Sequence, residues 1–303
     1  MRQTVPAVVL DDVSRVLGAV VSDPVRLAGG LDVGAHHLRV GTAADAVLKV
    51  WPQVDTGQLP ALERAGRIAR HMRGRGCPTP AWRGIGATTE YVWNLVDFVD
   101  GEPASKLPRE QLPSLIDQLL AINDLQAGQA TEPYDHWAYS WRLTSGQDIG
   151  EDLAPGLTRA VAELPRYSAE VADLVRRARS ACAGASLPPA APDMVHADFK
   201  PDNVLVREGK VVAVVDIGNA GSGTRATDLV TLLWHTLDDL PDDARERLWS
   251  RIVDIVGVDG AAVPVATQVL TQLEFPIRHG WNDRVSEVLA RGHRILEGLG
   301  ARR

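Results

Sequence analysis

The residues of this chain whose types and spacing could do chemistry together are Asp198, Asn203 and Asp216. The first two lie in His196-Ala197-Asp198-Phe199-Lys200-Pro201-Asp202-Asn203, a polar segment in which proline marks a loop. The third closes Val211-Val212-Ala213-Val214-Val215-Asp216, which is β-branched and almost wholly apolar, as a buried strand is. Two carboxylates and an amide on a loop and a strand end suit attack of a hydroxyl on a polyphosphate. One carboxylate orients the hydroxyl and accepts its proton, and separate oxygen ligands hold Mg²⁺ against the phosphates. Taken alone, His196 and Asp198 could equally be a metal pair, or two polar groups satisfying each other in a turn. The spacing onward to Asn203 and Asp216, with a strand between, favours phosphoryl transfer.

HADFKPDN followed by VVDIG resembles the catalytic loop and metal-binding strand of the kinase superfamily. Within it the chain is most similar to aminoglycoside phosphotransferases and their small-molecule kinase relatives, from Arg26 to Trp234. In that pattern the loop Asp is the catalytic base, the Asn after it a Mg²⁺ ligand, and the Asp of the next strand the principal metal ligand. The resemblance therefore implies Asp198 as base and Asn203 and Asp216 as metal ligands. Lys200 would stabilise charge on the transferred phosphoryl group. The implied fold is α+β, bilobal and protein-kinase-like: residues 1–96 form a nucleotide-binding lobe with a small antiparallel sheet and one helix, and 97–101 a hinge. Residues 102–303 then form a mainly helical lobe bearing the catalytic loop and the substrate site.

The elements that must position these groups can be read in order. Val25 to Val40 reads as strand, glycine turn, strand, and Ala46-Val47-Leu48-Lys49-Val50-Trp51 as a third strand ended by Pro52. Gly29, Gly30 and Gly34 could bring backbone N–H groups to phosphates, although they do not spell the usual glycine fingerprint and by themselves are ordinary hairpin residues. Lys49 stands in an otherwise apolar strand, where an ammonium needs an anionic partner. A helix from Ala61 to Arg73, opened by Pro60, carries Glu63 as its one acid. Glu63 could be a surface partner of Arg67; by resemblance it holds Lys49 over the α- and β-phosphates. Tyr91 to Val96 reads as the last strand of the small lobe, and the hinge follows, where by resemblance the Asp97 carbonyl and Val99 N–H recognise adenine.

Past the hinge, Arg109 to Gln126 has one broad apolar face and reads as a core helix. Tyr134 to Trp141 is rich in aromatics, fit for core packing or for walling a substrate cleft. Leu157 to Ala183 reads as one or two helices and Leu187 to Pro192 as a stiff connection. Leu229 to Leu240, Ala244 to Val256, Val265 to Gly280 and Asp283 to Leu299 read as further helices. By resemblance Asp228 braces the catalytic loop backbone.

Composition bounds the partners. With 303 residues and 45% hydrophobic content the chain can bury a full core. A net charge of −7 argues against nucleic acid, since no excess of cations is present to displace counterions. Cys77 and Cys182 have neither metal spacing nor a disulfide framework. Neither a signal peptide nor a membrane span is read, so a cytoplasmic protein is expected. Lysine is scarce, four against 28 arginines, and Lys49 and Lys200 fall where a phosphoryl-transfer site needs a cation.

The expected activity is thus Mg²⁺-dependent transfer of the γ-phosphate of ATP or GTP to a hydroxyl of a small molecule, an antibiotic in the first place. A housekeeping kinase for a sugar, amino alcohol or homoserine-like metabolite is the alternative. A Ser/Thr protein kinase is disfavoured: no Ala-Pro-Glu motif occurs, and Asp228 follows Asp216 too soon for a long activation segment. An inactive nucleotide-binding regulatory module is disfavoured because every catalytic position is filled.

Overall fold

The structure is a computed structural model that describes residues 4–22, 24–27, 34–41, 44–53, 57–132, 135–145, 156–185 and 192–303. In chain order the elements are α1 (Ala7–Leu17), β1 (Val25–Arg26), β2 (Ala35–Val40), β3 (Ala44–Pro52), α2 (Gln58–Gly74), β4 (Trp82–Ala87), β5 (Tyr91–Asp97) and β6 (Glu102–Pro103). They continue with α3 (Leu112–Asp124), α4 (His136–Ser145), α5 (Leu157–Glu163), α6 (Ala169–Ala181), β7 (Asp193–Val195), β8 (Val204–Arg207) and β9 (Lys210–Val214). The chain ends with β10 (Gly221–Gly223), α7 (Ala226–Thr236), α8 (Asp242–Arg278) and α9 (Asn282–Gly300). Two compact units result, one made of residues 1–103 with 203–220, the other of 104–202 with 221–303.

The first unit is built on a five-stranded antiparallel sheet in the order β1-β2-β3-β5-β4. Side chains alternate across it, so its two faces have different fates. One face presents Leu38, Ala46, Leu48, Trp93 and Leu95, packed with Val9 and Val13 of α1 into a fully buried core. The Trp93 indole N–H donates to Asp12 Oδ2 (2.9 Å), which ties α1 to the centre of the sheet. The other face carries Val47, Lys49, Val92, Asn94 and Val96. Over β4 that face is covered by α2, where Gly66 permits a close approach: a Cβ there would come within 2.8 Å of Ile85 Cδ1.

Residues 203–220 return to this unit because their backbone is paired there. β8 lies between β6 and β9, with Glu102 opposite Val206 and Val204 opposite Val214. Val214 N–H also donates to Pro78 O (2.6 Å). The expected division, with 102–303 as one continuous lobe, does not anticipate this return, because ladder pairing is not written in sequence order.

The short strands β6, β7, β8 and β10 have no counterpart in the sequence pattern, and neither do β4 and α1. β4, Trp82–Ala87, is diluted by Gly84 and Gly86, residues that usually mark a break. Here they let the Trp93 ring lie against the strand, for a Cβ on Gly86 would overlap the indole. α1 is rich in apolar residues, yet Asp11 and Asp12 interrupt them and Val9 and Val13 alone are buried. α2 begins at Gln58, before the expected Ala61; Pro60 falls in its first turn, where the missing N–H is not needed.

The second unit is helical. Leu112, Leu115, Ile116, Leu119 and Ile122 of α3 are buried, as the periodicity predicts. Trp137 of the aromatic segment is 2% exposed and belongs to the core, while Tyr134 lies outside the described residues. α8 is broken at Gly257 (φ 71°, ψ 166°), which restores the two helices expected from the pattern. By length and composition alone α8 is apolar enough to cross a membrane, a match the sequence reading did not foresee; its Ala261, Val265, Val269 and Leu273 are buried in this unit.

Gly86→Ala should destabilise the protein by about 1–3 kcal/mol, the cost of overpacking against an indole with no room to move. Chemical denaturation of the purified variant measures it, and an unchanged midpoint would show that Trp93 does not pack on this strand as described.

Candidate active site

The Asp198 segment is positioned in the second unit. β7 pairs antiparallel with β10, Val195 opposite Gly221, and delivers the chain to His196. Asp228, in the first turn of α7 and wholly buried, meets it there. One carboxylate oxygen accepts from His196 N–H (2.7 Å) and from the Gln126 side chain (2.8 Å), and the other from Ala197 N–H (2.8 Å). Gln126 is itself oriented by Asn123 Nδ2, which donates to its Oε1 (2.6 Å). Burial raises the Asp228 carboxyl pKa, while His196 and these donors act to lower it. The expected brace of the catalytic loop by Asp228 is therefore present.

Ala197 has φ 65°, the left-handed region that a residue with a Cβ seldom enters. Such strain costs of order 1–3 kcal/mol and persists only where the surroundings over-determine it. The Asp228 bonds on either side of the His196–Ala197 peptide do so. Beyond the kink Asp198 is one-quarter exposed, and its Oδ2 pairs with Lys200 Nζ at 2.9 Å. Lys200 N–H donates to Asp198 O (2.9 Å) and Asp198 N–H to His196 Nδ1 (3.3 Å). Ser105 Oγ donates to Asp202 Oδ1 (2.7 Å) at the loop's far end.

A further group near this loop was missed by sequence reasoning. His235 lies on α7 seven residues beyond Asp228, two helical turns along the same face, and that spacing was the signal available. Burial first, then the charge of Lys200, pushes its pKa down to about 4; Arg291 acts in the same sense, Asp198 and Asp202 against it. It is therefore a neutral imidazole at neutral pH, within electrostatic reach of the Asp198–Lys200 pair.

The remaining candidates lie in the first unit. Lys49, in the centre of β3, pairs through Nζ with Asp216 Oδ1 at 2.7 Å. Asp216 follows β9 with φ 65°, a left-handed conformation that aspartate tolerates better than most residues. Val215 N–H donates to Asn203 O (2.8 Å), which together with the Val204–Val214 pairing sets Asn203 and Asp216 side by side. Asp97 ends β5, its carboxylate ion-paired with Arg83 and its N–H donating to Ala81 O (2.9 Å). Val99 lies beyond it, and among the described residues its N–H has no backbone partner.

Two expectations need correction or fall outside view. Glu63 does not hold Lys49. It lies with Arg67 and Arg70 on the exposed stripe of α2, because Leu62, Ala65, Gly66 and Ala69 form the buried one, and the ammonium takes Asp216 instead. Gly30 lies outside the described residues, with Gly29, so the glycine turn is not placed.

The donor set can be tested for the implied Mg²⁺. Asn203 and Asp216 offer an amide and a carboxylate oxygen, hard donors from adjacent backbone. Among the described residues no cluster of three or more His, Cys, Asp or Glu could cage an ion. A site of two protein oxygens fits a cation that brings phosphate and water ligands with it, as Mg²⁺ does.

Residues 26–257 match the family model described as the phosphotransferase enzyme family. The chain belongs to that family. The aminoglycoside phosphotransferase resemblance and the expectation of a phosphotransferase enzyme are borne out at this level. Among curated relatives, an aminoglycoside 3'-phosphotransferase of Escherichia coli is 47% identical over 62 residues, which is 20% of this chain and 22% of the relative. The chain thus matches such relatives over about a fifth of their length. Among solved structures, a thermostable mutant of aminoglycoside phosphotransferase APH(4)-Ia, in ternary complex with AMP-PNP and hygromycin B, superimposes with a TM-score of 0.71 at 19% identity. That similarity covers 97% of this chain and 99% of the other. A candidate fructosamine-3-kinase from Haemophilus somnus gives 0.61 at 12% identity, over 94% and 96%. At these identities the likeness speaks for the fold, and it bears out the protein-kinase-like α+β class.

The depressed pKa of His235 carries a pH signature. Its folded value of about 4 lies below the ordinary 6.5, so the unfolded chain binds a proton that the fold excludes. Its contribution to stability is complete above pH 6.5 and is lost as pH falls toward about 4. His235→Gln should flatten the dependence of the unfolding free energy on pH across that window, as measured by denaturation at a series of pH values.

Proposed function

We propose that this protein is a Mg²⁺-dependent kinase that transfers the γ-phosphate of ATP or GTP to a hydroxyl of a small molecule, an antibiotic of the aminoglycoside class being the favoured acceptor. The observation that carries this reading is the Asp198 carboxylate, presented one-quarter exposed on a strained loop that Asp228 braces, with Lys200 at 2.9 Å. A base held so firmly can orient a hydroxyl and take its proton, and an adjacent cation can stabilise charge on the group being transferred.

In this reading Asn203 and Asp216 hold Mg²⁺, which when bound screens the phosphate charge. Lys49 holds the α- and β-phosphates from the centre of β3. The partly open face of the sheet, with Val47 and Val96 on it, accommodates the base, and the Asp97 carbonyl and Val99 N–H recognise its edge. The first unit thus serves the nucleotide and the second the acceptor. The similarity to a structure holding AMP-PNP favours ATP as donor, and the one to curated aminoglycoside 3'-phosphotransferases favours an aminoglycoside. Neither nucleic acid nor membrane has a part in this scheme, and the cytoplasm supplies the nucleotide.

The likeness to a candidate fructosamine-3-kinase supports a second reading, a kinase for a sugar-derived metabolite. A protein acceptor fits less well. Between Asp216 and Asp228 the chain forms only the 3-10 turn Ile217–Asn219 and β10, so no long segment is present to dock a polypeptide.

Asp198→Asn keeps the shape of the side chain and removes the base, so turnover should fall about 10²- to 10⁴-fold while nucleotide still binds. Steady-state kinetics against antibiotic and metabolite panels check this; near-normal turnover, or phosphorylation of proteins alone, would be incompatible with the reading. Asp216→Ala should abolish Mg²⁺-dependent transfer and leave the protein folded, as circular dichroism beside the kinase assay would show. Wild-type turnover in that variant would remove Asp216 from the metal site.

A further inference from the structure

Lys49 and Asn94 are directly opposed in the β3–β5 ladder. Opposed side chains share a face of the sheet, with Cβ atoms about 4.5–5.5 Å apart. Asn94 is 6% exposed, and its Oδ1 is wholly buried with no hydrogen-bond partner among the described residues. A strand centre normally excludes such an atom, because an acceptor stripped of water without a replacement donor is costly. The nearest cation in the ladder is Lys49, whose ammonium has three N–H donors, one of them engaged by Asp216.

Three facts then bear on one another. Glu63, the acid expected to hold this lysine, is exposed on α2. Asp216, which holds it here, is the carboxylate that the reading above gives to the metal. Asn94 supplies an uncommitted acceptor on the same face, under the edge of α2, where Ile85 opposite Asn94 touches Gly66. We propose that Asn94 is a positioning residue for Lys49, its amide oxygen accepting a hydrogen bond from the ammonium when Asp216 is engaged by the metal. A neutral acceptor suits this position. It orients the ammonium without neutralising it, so the whole positive charge faces the phosphates, whereas a carboxylate there would share it.

The proposal rests on the reading of Lys49 as the phosphate-holding cation, and the test separates the two. Binding of MgADP and MgATP to the full-length protein is measured by calorimetry for wild type, Asn94→Leu, Asn94→Asp, Lys49→Ala and the Lys49→Ala/Asn94→Leu double variant, with thermal unfolding of each. Asn94→Leu should bind nucleotide about tenfold more weakly, the worth of one hydrogen bond to a charged group, without loss of thermal stability, since it removes a buried orphan. Asn94→Asp keeps the acceptor and should restore binding to within a few-fold of wild type. In the Lys49→Ala background Asn94→Leu should have no further effect. Undiminished binding by Asn94→Leu, or an equal loss with and without Lys49, would overturn the assignment of Asn94 while leaving Lys49 in place. A wild-type protein that binds no nucleotide would overturn the reading of Lys49, and this proposal with it.

Discussion

The Asp228 carboxylate holds the Asp198 loop in a shape the loop would not keep by itself. Ala197 sits in a left-handed conformation, and nothing in an alanine side chain compensates for it. Two short hydrogen bonds, from the His196 and Ala197 N–H groups to opposite oxygens of one carboxylate, are what hold the peptide there. The carboxylate is in turn fixed by Gln126, and Gln126 by Asn123, so the geometry of Asp198 is set by a chain of buried polar contacts running back to α3. Each donor left alone in the interior would cost about 1–3 kcal/mol, and the Asn123 and Gln126 amide nitrogens are both engaged; the Asn123 Oδ1 acceptor alone in this chain of contacts has no partner among the described residues. Position and strain are thereby coupled: the loop is rigid because its distortion is supported from one buried point.

The first unit solves a different problem, that of placing a cation in an apolar sheet. One face of the sheet is sealed by α1 around Trp93, and Lys49 stands on the other. There it meets Asp216, itself carried in a left-handed turn at the end of β9. The Lys49–Asp216 pair is partly exposed, which keeps the desolvation penalty of both charges low.

Charge near the Asp198 loop is managed by burial as much as by contact. His235 is kept neutral by desolvation and by the Lys200 charge, so the neighbourhood of Asp198 contains one ammonium and an uncharged imidazole at neutral pH. A second cation there would compete with Lys200 for the Asp198 carboxylate.

How much of this was legible in the sequence depends on the range of the interaction concerned. Asp198, Asn203 and Asp216 stand at short, fixed separations along the chain, and the apolar run before Asp216 reads as a strand from local pattern alone; the family and the protein-kinase-like fold follow from the same stretch. The α3 stripe and the break in α8 were equally local. What the sequence could not show was which partner a charge finds. Lys49 pairs with Asp216, 167 positions away, and not with the nearer Glu63, because the close contact of Gly66 with Ile85 sets the rotation of α2 and turns Glu63 outward. The glycines of β4 looked like a break until Trp93 was laid across them. The sequence by itself determined the chemical groups and their local placement, since residue type and spacing carry both. Only the tertiary structure decided the ionic partners, the neutrality of His235 and the orphaned oxygen of Asn94, because desolvation and Coulomb energy depend on distances in space between residues far apart in the chain.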